Sequence, residues 1–370
     1  MRPRSGKLTG ANHRSMAVWN SLTVLQCILR EGHISQRQIA ETYGMQPSTV
    51  SNIIRELREC GIVREAGTLA ARGVGAKQVS LEIDASFAWV ACWRIDLKGN
   101  YLCLLDAAGH IVAQELLPID LGWQDIVESI RERIGTLAES RRLPMSRFAG
   151  LGVCVQGIVD RARGEVIYSH PLKMTEVPLR DMLQKHLKAP VYVERNVPCG
   201  AYLEQHSTAK ARGKSFLYYL IQRHDKFLVH GVGIVLGGEV FRGSHSAAGE
   251  LTTDFFREHP DIRHLKTEKD WDRLYRVESK SIAMLADFLD VDLVIVSSDD
   301  PALTERRFLA LQKDVLSQIR PIKGRQVEVI RSTSGPEGML VGGGLIALHE
   351  YFLRVAEGLP NRSVRKAARR

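Results

Sequence analysis

The first hydrophobic pattern along the chain is helical. Val18, Leu22, Leu25 and Leu29 recur every three or four residues and predict a helix that ends near Gly32. The next stretch, Ile34 to Gly61, predicts two shorter helices across a tight turn. Ser35 followed three residues later by Gln38 is a capping-box pattern. Ile39 and Ala40 give that helix its inner face, and Gly44 can take the positive φ that stops it. Pro47 suits a first helical turn, where its missing N–H removes no bond. Val50, Ile53, Ile54 and Leu57 then repeat at helical spacing, which leaves Ser48, Ser51, Asn52 and Arg55 together on the opposite face.

After Gly61 the period changes to two. Ile62-Val63 starts one short strand, and Val79, Leu81 and Ile83 alternate with Gln78, Ser80 and Glu82 in another. Between them, residues 66–77 form a Gly/Ala-rich loop that carries Arg72 and Lys77. From about Ala85 the pattern is that of an α/β protein. Residues 87–117 read as three consecutive strands, with turns at Lys98-Gly99-Asn100 and Ala107-Ala108-Gly109. A helix over 124–139 follows, then a buried strand leaving through Gly157. Val177, Leu179, Leu183 and Leu187 mark an amphipathic helix, and the strand over 191–196 presents Glu194, Arg195 and Asn196 at its end. A helix over 198–205 closes this block.

The pattern then restarts. Residues 215–222 and 230–243 give strands with a Gly237-Gly238 hairpin turn. Helices are predicted over 267–276 and 279–289, and a buried strand over 293–300 ends in acidic residues. A helix over 301–319, a strand over 326–332 and a helix over 338–353 complete the chain. Strands followed by helices, twice over, predict two similar lobes with a cleft between them.

Composition narrows the function classes. The 370 residues suffice for two or three domains, and the net charge of +9 fits either a nucleic-acid partner or a solvated basic surface. Arg2, Arg4, Lys7 and Arg14 make a basic N-terminal arm with no acid, and residues 361–370 repeat that composition. Such tails are expected to be unstructured and to add nonspecific attraction to phosphate. Six cysteines occur without a Cys-x-x-Cys pair, which predicts reduced, buried thiols. No apolar run reaches the roughly 18 residues of a membrane span, and no secretory h-region opens the chain. The expectation is a soluble cytoplasmic protein.

Two helices at this spacing, the second with a short polar and cationic outer face, match a helix-turn-helix. An ordinary amphipathic hairpin with a solvated face has the same period. The following hairpin, with its basic loop, makes the set a winged helix, the alternative being a plain surface hairpin. On the DNA reading, Gln46, Ser48, Thr49, Ser51, Asn52 and Arg55 face base edges and phosphates, and Arg72 and Lys77 reach the backbone or minor groove from the wing.

The segment GVGIVLGGEVFRGSHSAAGEL (231–251) resembles the glycine-rich strand, hairpin and Gly-Ala-Ala-Gly-Glu run of the ROK family, the bacterial repressors and sugar kinases. GLGVCVQGIVD, VPLRDML and VYVERNVPCGAYLE fall in that family's order and spacing, so the resemblance extends from about Val18 to Leu353. It implies an α/β fold: an N-terminal winged helix-turn-helix followed by a two-lobed actin-like ATPase (ribonuclease H-like) domain. The expected divisions are an arm over 1–16, the winged helix over 17–84, lobes over 85–205 and 206–356, and a basic tail over 357–370.

Against the family pattern, several departures argue against an enzyme. The family's Glu-Asn-Asp-Ala-Asn segment carries the general base, whereas this chain has Glu194-Arg195-Asn196-Val197-Pro198. Asn196 is a neutral amide, and a missing base costs about 10²–10⁴ in rate. The first phosphate loop, Asp-x-Gly-Gly-Thr in the family, is Asp96-Leu97-Lys98-Gly99-Asn100, and the adenosine-side Gly-Gly appears as Ser297-Ser298-Asp299-Asp300. The family's zinc ligands are also missing: Thr253 stands where a His follows the Gly-Glu, and no cysteine occurs after Cys199. The expectation is no catalytic residue, no metal and no cofactor.

The resemblance implies an effector pocket around Arg195, Asn196, Glu250 and Thr253, with His170 and Gln156 at its edge. Arg195 either adds positive charge that favours a phosphorylated or acidic sugar, or pairs with Glu194 or another acid in a closed pocket. The expected partners are operator double-stranded DNA, a small-molecule effector such as a sugar or sugar phosphate, and a second copy in a homodimer or dimer of dimers, with no membrane. The expected function is a repressor of carbohydrate-metabolism genes. The alternatives are a sugar kinase with an N-terminal extension and a regulator controlled by a protein partner.

Overall fold

The computed structural model describes residues 10–69, 78–96, 98–118, 122–224, 228–251 and 262–367. Helix α1 (Gly10–Glu31) buries Leu22, Val24, Leu25, Cys27 and Ile28. It starts inside the span expected to be an unstructured arm, because extending an anchored helix costs far less than nucleating one. Helices α2 (Gln36–Tyr43) and α3 (Pro47–Glu59) follow, and strands β1 (Val63–Leu69) and β2 (Gln78–Ile83) pair antiparallel. The loop between these strands is shorter than expected. A bulge between Glu65 and Thr68 lets β1 resume pairing, with Thr68 opposite Val79 and Leu69 opposite Gln78. Leu81 and Ile83 are buried as expected, but Val79 lies exposed at the wing's outer end.

The rest is built from two five-stranded sheets of the same design. The first contains β3 (Trp89–Asp96), β4 (Gly99–Asp106), β5 (Ile111–Leu116), β6 (Phe148–Val155) and β10 (Val191–Arg195), in the order β10-β6-β3-β4-β5. The second contains β11 (Phe216–Arg223), β12 (Leu228–Leu236), β13 (Glu239–Phe241), β14 (Leu293–Ser298) and β15 (Glu328–Arg331), in the order β13-β12-β11-β14-β15. In each, three antiparallel strands are extended by two parallel ones. Helices α4 (Trp123–Ser140) and α5 (Leu179–His186) pack into the first lobe's outer core, and α7 (Glu268–Leu289) and α8 (Glu305–Gln318) into the second's. Helix α7 is one continuous helix where two were expected, with Tyr275, Glu278 and Ser279 all buried across the expected break. A small sheet of β7 (Ile158–Asp160), β8 (Glu165–Ser169) and β9 (Met174–Val177) was not legible in the sequence, since its strands are three to five residues long.

Two helices fill the layer between the sheets: α6 (Asn196–Ser207) and α9 (Gly338–Ala367). Their approach depends on glycine. A Cβ on Gly342 would stand 1.9 Å from the Cys199 carbonyl oxygen of α6, and one on Gly152 of β6 would stand 2.3 Å from the Gly343 carbonyl oxygen. Helix α9 therefore packs against the first sheet and α6. This corrects the expected division, which placed residues up to 356 in the second lobe. The helix also runs to Ala367, through the span expected to be a tail. Its segment Gly338–Leu359 is long and apolar enough by composition to cross a bilayer, contrary to the reading from sequence, but 61% of its most apolar window is buried in the fold. The same helix meets α1, and one hydrophobic cluster runs from Leu25 and Ile28 through Leu345 and Leu348 to Val90 and Cys92.

Candidate nucleic-acid interface and interlobe cleft

The helical hairpin forms as its sequence dictates. Gln38 N–H donates to Ser35 Oγ at 3.2 Å and Ser35 N–H donates to Gln38 Oε1 at 2.9 Å, closing the capping box. Gly44 ends α2 at φ 60°, and Pro47 opens α3 with Gln46 as its N-cap. Val50, Ile53, Ile54 and Leu57 are buried, while Gln46, Ser48, Ser51, Asn52 and Arg55 are exposed and Thr49 is half-buried. Ser35 Oγ also donates to Gln78 Oε1 at 2.5 Å, fixing the stem of the wing to the start of α2. Arg72 and Lys77 lie outside the described residues.

The charges around this face are mostly spent internally. Arg37 pairs with Glu41 at 2.7 Å, Arg58 with Glu65 at 2.8 Å, and Arg64 with Glu82 at 2.6 Å. Arg30 holds Glu31 and donates to Tyr43 Oη. Arg55 has no ion-pair partner among the described residues. It stands in a groove of about 630 Å³ between α3 and β1, together with Ser51, Arg58 and Arg64. The wing side of this groove, with Arg64, was not identified from the sequence. Its residues sit at strand positions whose exposure follows only from the pairing register.

At the mouth of the cleft, Arg195 ends β10 but does not point into an open pocket. Its side chain is 2% exposed. Nη1 donates to the Ser246 carbonyl at 2.6 Å, and Nη2 donates to the Ala248 carbonyl at 3.0 Å and forms an ion pair with Glu250 Oε1 at 3.0 Å. Of the two readings from sequence, the paired and closed one matches this arrangement, with Glu250 rather than Glu194 as partner. Glu194 instead accepts from Arg242 Nε at 2.6 Å and from the Arg195 backbone N–H at 3.0 Å. Asn196 is buried at the start of α6, and its Oδ1 accepts from Val197 N–H at 2.8 Å. Gln156 Oε1 is buried without a hydrogen-bond partner among the described residues. His170 is exposed, with Nδ1 3.3 Å from Tyr168 Oη. Thr253 lies outside the described residues.

An open groove of about 970 Å³ adjoins this point. Arg161, Arg180 and Tyr192 of the first lobe line it, facing Arg242 and His245 of the second. Arg161 and Arg242 were not identified from the sequence, because they converge on Glu194 from positions 33 and 48 residues away.

The other end of the cleft is filled by ion pairs. Arg94 Nε lies 3.0 Å from Asp96 Oδ2, and both side chains are buried. Asp96 Oδ1 accepts from the Lys98 backbone N–H at 2.8 Å. The Lys98 ammonium is bonded to Asp299 of the opposite lobe. Asp300 is buried, accepting from Arg223 Nη1 at 2.9 Å and from Tyr275 Oη at 2.5 Å. Both carboxylates of the Asp299-Asp300 turn are thus paired within the protein.

Comparisons with known proteins agree with this architecture. Residues 95–252 match the family model described as ROK family, and residues 20–64 match that of a winged helix-turn-helix DNA-binding domain. A xylose repressor of Caldicellulosiruptor bescii is 27% identical over 245 residues, 65% of this chain and 59% of its own. A relative in another Caldicellulosiruptor strain, Rt8B.4, is 31% identical over 66% of this chain and 61% of its own. The DNA-binding transcriptional dual regulator NagC of Escherichia coli K12 is 24% identical over 63% of this chain and 56% of its own. The matches therefore span about three fifths of these relatives' length. Among solved structures, a ROK family transcriptional regulator described as a homologue of the E. coli MLC protein superposes with a TM-score of 0.70 at 15% identity, covering 92% of this chain and 99% of that one.

Proposed function

From a match of residues 95–252 to the ROK family and of residues 20–64 to a winged helix-turn-helix, we propose a DNA-binding transcriptional repressor of carbohydrate-metabolism genes. The observation that carries this reading is Arg55, on the exposed face of α3 beside the wing, without an ion-pair partner among the described residues, in a domain whose other described arginines are all paired. A guanidinium next to Ser51 and Asn52 suits base edges and phosphates in a major groove. Two copies would read a pseudo-palindromic operator as a homodimer or dimer of dimers, in the cytoplasm. The names of the relatives, xylose repressor and N-acetylglucosamine repressor, support the carbohydrate assignment.

The ROK domain is read as a sensor rather than a kinase. Asn196 cannot take the proton of a sugar hydroxyl, and internal ion pairs at Asp96, Lys98, Asp299 and Asp300 occupy the groups that would meet a nucleotide. A sugar or sugar phosphate is the proposed effector. Gln156 Oε1, without a hydrogen-bond partner among the described residues, supports it, since a ligand hydroxyl would satisfy that acceptor. The locked Arg195 favours a second reading, in which a protein partner controls the regulator and the pocket stays shut.

Operator selection from the source genome with the purified chain tests the first claim. Binding should be specific and should be lost in Asn52→Ala and Arg55→Ala with the fold intact. Wild-type affinity in both variants would remove α3 as the reading helix. A thermal-shift screen with sugars, sugar phosphates and ATP separates the sensor readings. A ligand at about 100 times its Kd should add about 2.7 kcal/mol. Phosphorylation of any hexose above background would restore the kinase reading, and a flat screen would favour the partner-controlled one.

A further inference from the structure

The turn that leaves β3 in the first lobe and the turn that leaves β14 in the second are joined directly, through the Lys98 ammonium and the Asp299 carboxylate. We propose that this ion pair is a latch that holds the two lobes closed across the cleft without any nucleotide. Both ends are set in advance. Asp96 Oδ1 accepts from the Lys98 backbone N–H at 2.8 Å, which fixes the turn that aims the lysine. Asp96 is itself held by Arg94, whose Nη1 donates to the Pro336 carbonyl at 3.2 Å and so ties β3 to the segment that opens α9. Across the cleft, Asp299 Oδ1 accepts from the Arg223 backbone N–H at 2.8 Å, leaving Oδ2 for the lysine. Arg223 also pairs with Asp300, so the second turn carries a compensated charge of its own.

The arrangement differs from a casual surface pair in two ways. The partners come from positions 201 residues apart and from different sheets, so the contact forms only when the lobes are together. Each side chain is 28% exposed, which reduces screening relative to a fully solvated pair while still letting both groups hydrate when the cleft opens. An open state is therefore accessible, and the pair biases the equilibrium rather than locking it. A partly exposed pair of this kind shifts an equilibrium by about two- to fivefold.

Hydrogen–deuterium exchange of the full chain, without DNA, tests the latch independently of the repressor reading. Lys98→Met and Asp299→Asn should each raise exchange about two- to fivefold in peptides covering 98–106 and 293–300. The double variant should exchange no faster than either single one, because the shared contact is lost only once. The exchanged pair, Lys98→Asp with Asp299→Lys, should return exchange toward the wild-type rate, which a merely misfolded turn would not do. Single variants that exchange like the wild type, effects that add in the double variant, or an exchanged pair as fast as the single variants would each overturn the proposal.

Discussion

Arg195 Nη2 lies 3.0 Å from Glu250 Oε1, so two residues that the sequence offers as separate ligand-binding groups are bonded to each other. The same guanidinium closes on the carbonyls of Ser246 and Ala248, making it a strut between the end of β10 and the loop after β13. Arg195→Ala removes two donated hydrogen bonds and one ion pair and leaves those carbonyls to find water. Glu250 is 47% exposed and can hydrate on its own. The cost should therefore be about 2 kcal/mol, below the 3–5 kcal/mol of a fully buried broken pair. Arg195→Lys should lie between the two, since an ammonium cannot reproduce the fork. Urea denaturation of the three proteins measures this. An unchanged midpoint in Arg195→Ala would show that the loop is held without the strut.

The recognition helix offers a test that separates its two polar residues. Arg55 has no ion-pair partner among the described residues, and its substitution by alanine should reduce operator affinity. If it contacts phosphate, the slope of log affinity against log salt falls by about one and all sequences weaken alike; if it reads a base, specificity relaxes at one operator position by about 1–3 kcal/mol. Asn52→Ala removes no charge and should leave the salt slope unchanged while lowering specificity. Fluorescence anisotropy titrations at several salt concentrations distinguish these outcomes. A changed slope in Asn52→Ala would place its role elsewhere.

The helix-turn-helix was legible because its signals are local. Ser35 and Gln38 are three residues apart, Gly44 needs only its own φ, and the inner face of α3 repeats within one helix. The succession of the main-sheet strands along the chain was legible for the same reason. What the sequence hid was nonlocal. The partner of Arg195 is 55 positions away, that of Lys98 is 201 positions away, and neither pairing leaves a periodic trace. Helix α9 was found but placed in the wrong lobe, because helical periodicity shows that a face is buried and not what buries it. The short sheet of β7, β8 and β9 escaped because strands of three to five residues carry too few alternations to register.

Gly342 decides how closely α9 and α6 approach. In an ordinary helix interior, replacing Gly by Ala gains about 1 kcal/mol of helix propensity. Here the new methyl would stand 1.9 Å from the Cys199 carbonyl oxygen, and a backbone atom cannot rotate away. The two helices must separate, and overpacking of this kind costs about 1–3 kcal/mol. The clash outweighs the propensity gain, so Gly342→Ala should lower stability. Gly135→Ala in α4 is the control: nothing lies within 4 Å of the added carbon, and the helix should gain. Thermal melts of both variants give the sign directly. A stabilised Gly342→Ala would mean that the helices slide apart at no cost.

Acid should loosen the junction between the winged helix and the two-lobed α/β domain. Helix α1 meets α9 there through Gln26, whose carboxamide donates to His349 Nδ1. His206 packs against Tyr202, tilted by 40° with ring centroids 4.2 Å apart, and donates from Nδ1 to the Tyr202 carbonyl at 2.8 Å. Burial pushes the pKa of both imidazoles down to about 4, helped at His206 by His349 and Arg30, and at His349 by Arg161 and Arg242. In the unfolded chain each titrates near 6.5. Between these values the unfolded state holds more protons than the folded one, so stability falls as pH drops from about 6.5 to 4. The loss should reach on the order of 1–2 kcal/mol per histidine at pH 5. Protonation of His349 at Nδ1 also removes the acceptor that Gln26 uses, so opening should begin at α1. Urea midpoints at pH 7.5 and 5, compared between the wild type and His349→Gln, test this assignment. The variant should lose part of the acid sensitivity, because glutamine does not titrate; an equal loss in both proteins would place the pH dependence outside this junction.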